Sequence, residues 1–347
     1  EDLQKLKGGI GFKSEFNDGL LLNYYLKIPH RLLLRIDYFQ ARDLPALFKR
    51  ISKIDWQNYF RSGAIKVRLA THASRLKIKS RIEQTIFDAL AASQKRSPWR
   101  KTFLQVPQQV YLHIQNDQCT LSVDTSGEAL YRRTPGQWIG EAPLRETYAA
   151  AVFFQGWLKN PLLTMEVCDP FCGSGTLLAE SYGFFKKTLN RTFAFENFPS
   201  FKGLSLKLPH QLIEPQFLLR GFDASTEILA AADNNLKGLK LSAENFKLEA
   251  TSLHGGALPF AQTARLIIAN PPYNLRLKAD MKDLGKNLEI WLREASPISY
   301  AFLWPKDAWE FQPRIQNSES TSLTFKNGGF PVGLISGILG HRDPTSC

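Results

Sequence analysis

The sequence predicts an α/β chain in which an open, mostly parallel sheet with a ligand crevice follows a smaller α+β unit. Three observations carry this. Apolar and β-branched residues from Leu162 run into a double-glycine turn, Asp169-Pro170-Phe171-Cys172-Gly173-Ser174-Gly175-Thr176, and a helix-like stretch opens from Leu177. Strand-like and helix-like stretches then alternate as far as Ala269, as a parallel sheet requires. Basic charge sits almost wholly in residues 1–150, which hold 24 Lys and Arg against 14 Asp and Glu, a net +10 of the chain's +12.

Length and composition bound the rest. A chain of 347 residues exceeds one small core and predicts two or three domains. Hydrophobic content of 44% and charged content of 22% are those of a soluble globular protein, and no apolar run reaches the ~18 residues of a membrane span. No secretory signal is present; the chain opens at Glu1 without a Met, which predicts a truncated or processed N-terminus. Four cysteines, at 119, 168, 172 and 347, form no CxxC pair, and the histidines make no ligand spacing with them. That predicts no metal site and a reducing, cytoplasmic setting.

In chain order, residues 8–40 alternate apolar and polar groups around glycines, predicting strands with a short helix near Leu20–Ile28 and a strand over 31–39. Leu44–Ile54 has helical spacing, Ile65–Ala70 is a short strand, and Ile82–Ala92 is helical. Gln109–Gln115 and Thr120–Asp124 read as a hairpin around Asn116-Asp117. Between the strand and helix lies the basic run Arg75, Lys77, Lys79, Arg81, read as a surface for nucleic-acid phosphates. Residues 124–151 form a turn-rich connector and then a helix from about Leu144, with Pro143 and Glu146 suited to its first turn. Leu189–Ile213 shows little periodicity and reads as an insertion with short helices. Gln216–Phe222, Asn245–Leu248 and Arg265–Ala269 are the following strands, with Thr226–Leu236 a helix between the first two. Near the end, Phe325–Phe330 reads as a turn between two strands.

Two stretches carry the chemistry. Gly173 and Gly175 remove Cβ atoms where backbone must bend or approach a ligand, and the helix-opening N–H groups face the crevice at the strand's carboxyl end. A Walker A loop is excluded because no Gly-Lys-Ser/Thr follows, and a dinucleotide fingerprint because its third glycine is Leu178. Asp223, at the tip of the next strand, suits bidentate binding of ribose hydroxyls. In Asn270-Pro271-Pro272-Tyr273 the two prolines stiffen the loop and leave carbonyls free. With the Asn270 carboxamide oxygen and the Tyr273 ring, that loop suits a planar base bearing an exocyclic amine.

DPFCGSGT, GFD and NPPY, in this order, resemble a class I S-adenosylmethionine-dependent methyltransferase. With SGEALYRR, APLRET and the basic α+β unit ahead, the chain resembles the THUMP-domain RNA guanine-N2 methyltransferases, a group that includes a bacterial large-subunit rRNA enzyme and several tRNA enzymes. The resemblance implies a remnant of a ferredoxin-like region over 1–20, a THUMP-like RNA-binding domain over 21–124 and a methyltransferase domain over 125–347. It implies that Asp169, Phe171, Cys172, Gly173, Gly175 and Thr176 cradle the methionine part of S-adenosyl-L-methionine. Asp223 then holds its ribose, Thr147 lies close to it, and Asn270 borders it. Asn270, Pro271, Pro272 and Tyr273 hold the target guanine for direct methyl transfer. Arg75, Lys77, Lys79, Arg81, Arg132, Arg133 and Arg276 contact RNA, with rRNA the leading substrate and tRNA the second, by a cytoplasmic monomer.

Departures from the pattern are specific. Where an acidic residue contacts adenine after the third strand, this chain has Ala250, with Thr251 or Ser252 as substitutes. The connector Arg133-Thr134-Pro135-Gly136 lacks a second arginine, and Asn274 replaces the glycine after Tyr273 while Arg276 is kept. A DNA adenine-N6 methyltransferase, a protein-glutamine methyltransferase and a non-catalytic RNA-binding protein with a degenerate methyltransferase fold are the rival readings. The basic arm argues against the first two.

Overall fold

The computed structural model describes residues 3–6, 8–60, 65–96, 108–133, 144–188, 191–201, 216–251, 265–272, 278–295, 299–315, 318–327 and 329–339. The chain divides into two compact units, Glu1–Arg133 with Thr188–Lys207, and Thr134–Lys187 with Leu208–Cys347.

The first unit starts with a small hairpin, β1 (Gln4–Leu6) and β2 (Gly9–Gly11), and a helix α1 (Phe16–Tyr25). The helix begins four residues before the position read from sequence, with Asp18 in its first turn complementing the dipole. Next come β3 (Leu33–Gln40), α2 (Leu44–Ile51), β4 (Ile65–His72), α3 (Lys79–Arg96), β5 (Gln108–Gln115) and β6 (Gln118–Asp124). Asp43 Oδ1 caps α2 by accepting the Ala46 N–H at 2.8 Å. The β5–β6 hairpin turns at Asn116 and Asp117, whose φ of 51° and 63° suit a two-residue primed turn. Four strands order as β3-β6-β5-β4, with β4 and β5 parallel and the other pairs antiparallel. One sheet face packs against the helices through Leu20, Leu47, Ile51, Ile86, Leu112 and Leu121.

The same core contains Phe193, Phe195 and Phe198, all 0% exposed. The described part of the predicted insertion, including a 3₁₀ turn at Ala194–Asn197, therefore belongs to the first unit. Arg191 donates to the carbonyls of Ala129 and Glu128, Tyr24 donates to Glu196 at 2.8 Å, and Lys27 Nζ bonds the Thr188 hydroxyl at 2.5 Å.

The second unit holds α4 (Glu146–Lys159), β7 (Thr164–Asp169), α5 (Thr176–Gly183), β8 (Gln216–Asp223), α6 (Thr226–Gly238), β9 (Phe246–Ala250) and β10 (Arg265–Ala269). It continues with α7 (Lys278–Ala295), β11 (Ser299–Pro305), β12 (Ser318–Asn327) and β13 (Phe330–Leu339). The seven strands order as β12-β13-β11-β10-β7-β8-β9. Pairs from β9 through to β11 are parallel; β13 runs antiparallel to both β11 and β12. The expected turn near 325–330 is the β12–β13 connection, with Gly329 at φ 93°. Helix α7 and strand β11 carry no counterpart in the sequence reading, although Leu284, Leu288, Trp291 and Leu292 follow a helical stripe and are buried.

Candidate active site

Strand order reverses at β7. The chain moves from β7 to β8 and β9 on one side, then returns to β10 and β11 on the other. Open α/β sheets bind ligands at such a switch point, outside the strands' carboxyl ends. The register pairs Ile267 of β10 with Cys168 of β7, so Asp169 and Asn270 leave the sheet at the same end.

The glycine turn after β7 is held from three directions. Cys172 N–H donates to the Phe222 carbonyl at 2.9 Å, and Gly173 N–H donates to Asp223 Oδ2 at 3.1 Å. Asn235 Nδ2, on α6, donates to the Ser174 carbonyl at 3.0 Å. Gly173 and Gly175 have φ of 52° and 87°, where a side chain is strained. A Cβ on Gly175 would lie 3.4 Å from the Ala232 Cβ, an ordinary contact, so the positive φ is what favours glycine there. A Cβ on Gly173 would meet no heavy atom of the described residues within 4 Å. Phe171 is half-buried against the core and Thr176 opens α5, 6% exposed.

Asp169 is fully buried, and its Oδ1 accepts the Phe171 N–H at 3.0 Å. Among the described residues its Oδ2 has no hydrogen-bond partner. Burial pushes this carboxyl up to about 8; the Phe171 N–H opposes the shift and the charge of Asp223 adds to it. An unpartnered buried acceptor has an energetic reason to take a donor, above all a cationic one. Asp223 accepts from the Ser225 N–H at 3.0 Å and from Gly173, which fixes its carboxylate at the β8 tip beside the turn. Burial raises the thiols of Cys168 and Cys172, which makes both inert.

Asn270 follows β10, and its Oδ1 is likewise buried without a hydrogen-bond partner among the described residues. Pro271 is buried and Pro272 exposed. Tyr273 and Arg276 lie outside the described residues. Thr147 is half-buried in the first turn of α4. Ala250 ends β9 and pairs in register with Asp223, so this strand tip presents no carboxylate. Its neighbour Glu249 instead meets Lys247 at 3.0 Å and Arg220 at 3.7 Å. The Thr251 N–H donates to the Asp223 carbonyl at 3.0 Å, and Ser252 lies outside the described residues.

Of the basic residues singled out from sequence, Arg75, Lys77, Lys79 and Arg81 are all exposed, and Lys79 and Arg81 form the first turn of α3. Arg132 is exposed and pairs with Glu128 at 3.2 Å. Arg133 donates to the carbonyls of Lys27 and Leu130 at 2.9 and 3.0 Å, bracing its own unit. Among the described residues no group of His, Cys, Asp and Glu could hold a metal, and no helix is long and apolar enough to cross a membrane.

Sequence reasoning missed two supports. Glu166, 2% exposed, meets Arg265 at 2.8 Å and Arg220 at 2.9 Å, tying β7 to both neighbours. Asn235 was legible in principle, as a polar residue on the α6 stripe of Leu229, Ala232 and Leu236.

The Asp169 shift yields a test. Its folded-state value lies above the ordinary 3.8, so the site favours the protonated form. The stability this lends is complete below about pH 4 and is lost as pH rises through 8. A cationic ligand reverses the preference. Calorimetry near pH 6.5, in buffers of different ionisation enthalpy, should show close to one proton released per amino-acid-bearing cofactor bound. No release would show that Asp169 does not take the ligand's cation.

Comparison with known proteins finds two domains in sequence order, the second of which spans residues 188–207 that pack in the first unit. The THUMP domain matches residues 41–124, and the UPF0020 RMKL-like methyltransferase domain matches residues 133–320. A Synechocystis protein named as a candidate RNA methyltransferase, slr0064, is 25% identical over 339 residues, covering 90% of this chain and 84% of its own. The ribosomal RNA large subunit methyltransferase K/L of Pseudomonas putida is 25% identical over 372 residues, covering 96% of this chain and 48% of its own. The chain thus spans about half the length of that relative. The crystal structure of SMU.472, a methyltransferase-like protein complexed with SAH, shares the fold at a TM-score of 0.76 and 23% identity, covering 98% of this chain and 92% of that one.

Proposed function

This chain belongs to the UPF0020 family of RMKL-like methyltransferase domains, with a THUMP domain ahead, and from that premise we propose that it methylates the exocyclic N2 amine of a guanosine in RNA. The observation that carries the proposal is Asn270 Oδ1, unpartnered among the described residues and buried at the carboxyl end of β10 beside the glycine turn of β7. A buried acceptor with no donor suits a base amine, which is a donor.

The residues present fit S-adenosyl-L-methionine, which supplies the methyl group on a sulfonium. Among the described residues Asp169 Oδ2 is an unpartnered acceptor for its ammonium, and the bare backbone at Gly173 leaves room above the turn. Asp223, Cys172, Phe171 and Thr176 shape the rest of that cradle, and Asn270 borders it. Thr147 is placed in the same reading on the α4 turn.

The N2 lone pair of guanine is delocalised into the ring, so the chain's task is to aim it. Asn270 Oδ1 and the Pro271 carbonyl would accept the two N–H bonds, and Pro272 stiffens the loop. Tyr273 would stack on a base flipped out of its helix. Positioning supplies most of the rate, and no nucleophilic side chain is needed. The buried, inert Cys168 and Cys172 agree with that. Exposed Arg75, Lys77, Lys79 and Arg81 are proposed to hold RNA phosphates, with Arg132, Arg133 and Arg276 nearer the connector and loop. The rRNA substrate is favoured over tRNA, in line with the name of the Pseudomonas putida relative. The proposed setting is the cytoplasm.

Purified protein, labelled S-adenosyl-L-methionine and separate unmodified rRNA and tRNA pools form the test, read by digestion and nucleoside identification. N2-methylguanosine from the rRNA pool is expected. Methylation at adenine N6 would overturn the guanine reading.

A further inference from the structure

The four-stranded sheet of the first unit uses only one face for its core. Leu20, Leu47, Ile51, Ile82, Ile86 and Leu90 bring α1, α2 and α3 onto the side occupied by Val110, Leu112, Leu121 and Val123. Side chains alternate across a strand, so the residues between these point the other way. On β4 the alternation is complete: Ile65, Val67, Leu69 and Thr71 are half-buried, while Lys66, Arg68, Ala70 and His72 are exposed.

The register assembles that second face into rows. Arg35, Ser122, Tyr111 and Arg68 are successive cross-strand neighbours, as are Tyr38, Thr120, His113 and Ala70. Irregular pairing between Arg35 and Asp37 keeps Tyr38 on this face and turns Asp37 toward α2, where Arg50 holds it at 2.6 Å. Tyr38 is 59% exposed, and Arg35, Arg68, Lys66 and His113 are exposed as well. Gln109 Oε1 accepts from Arg68 Nε at 3.1 Å and from the Tyr111 hydroxyl at 3.4 Å, which holds the cation and the ring side by side. The face's carboxylate, Asp124, is 0% exposed and paired with Arg31 at 2.7 Å.

We propose that this outer sheet face, centred on Tyr38, Tyr111, His113, Arg35 and Arg68, is a stacking platform for a single-stranded segment of the RNA substrate. It is a surface distinct from the basic run at Arg75–Arg81. Exposed Tyr38 on β3 and His113 on β5 flank Thr120 of the strand between them, with half-buried Tyr111 beside His113's row; their rings offer π-faces to unpaired bases, and the interleaved arginines meet the phosphates between them. Rows two residues apart lie about 6.6 Å from one another, which suits successive extended nucleotides. On the described strands of this face the exposed charges are cations, which select a polyanion, and the rings select one whose bases are not paired. The proposal rests on the reading that RNA is the substrate.

The test measures fluorescence anisotropy of the full chain with a short labelled single-stranded RNA of mixed sequence, and with the same strand annealed to its complement. Tyr38→Ala combined with His113→Ala should weaken single-strand binding about tenfold or more and leave duplex binding unchanged. Tyr38→Phe, which keeps a ring, should bind as wild type does. Both positions are exposed, so an unchanged thermal melt is expected of each variant. Equal single-strand affinity in wild type and the double variant would overturn the platform while leaving RNA as substrate. Absence of any RNA binding by the wild type would overturn both.

Discussion

Asn270→Ala should lower the rate of methyl transfer by about 10²–10³-fold while S-adenosyl-L-methionine still binds. The physical reason is selective. Asn270 Oδ1 has no partner among the described residues, so removing it strands no described buried donor and the loop keeps its two prolines. What is lost is the acceptor that orients the target amine. Single-turnover incorporation of labelled methyl gives the rate, and calorimetry gives cofactor affinity. A wild-type rate in this variant would remove Asn270 from the chemistry. A parallel collapse of cofactor affinity would assign the residue to the cofactor's cradle instead.

Phe195→Ala should destabilise the first unit by about 3–5 kcal/mol, the range for removing a fully buried aromatic ring. Phe195 is 0% exposed, with Phe193, Phe201 and Tyr24 at ring separations of 5.9, 5.1 and 5.9 Å. In the sequence this position falls between β7 and β8 of the second unit. Hydrogen exchange should therefore speed up in β5 and β6, far away along the chain, before it does in β7 and β8. Faster exchange confined to β7 and β8 would show that the segment serves the second unit.

The contrast between these residues explains what the sequence made legible. The glycine turn, β10 and the Asn116-Asp117 hairpin announce themselves through neighbours a few positions away, by φ demands and period-two patterning. Asn270 is legible because prolines mark its loop. The placement of Phe193, Phe195 and Phe198 is different. Their stretch has no helical or strand period, and what they pack against lies more than sixty residues upstream. Glu166 is hidden for the same reason: a carboxylate within an apolar strand is intelligible only once Arg220 and Arg265 are its neighbours in the sheet. The start of α3 at Lys79 was masked because its first turn is basic, against the usual preference at a helix N-terminus. Thr147 shows the limit from the other side, since a half-buried hydroxyl on an α4 turn declares no role by pattern alone.

That Phe193, Phe195 and Phe198 complete the first unit has a consequence in time. Synthesis proceeds at about 5–20 residues per second, so roughly 3–14 s separate the emergence of Arg133 from that of Phe201. Through that interval the nascent α1–β6 region lacks three aromatic side chains that fill its core. Tyr24 and Tyr59, whose rings meet Phe193, Phe195 and Phe198 in the finished unit, are then short of burial partners. Folding of the N-terminal unit is thus scheduled by translation of its neighbour, and slow codons placed between β7 and residue 201 would lengthen the exposure.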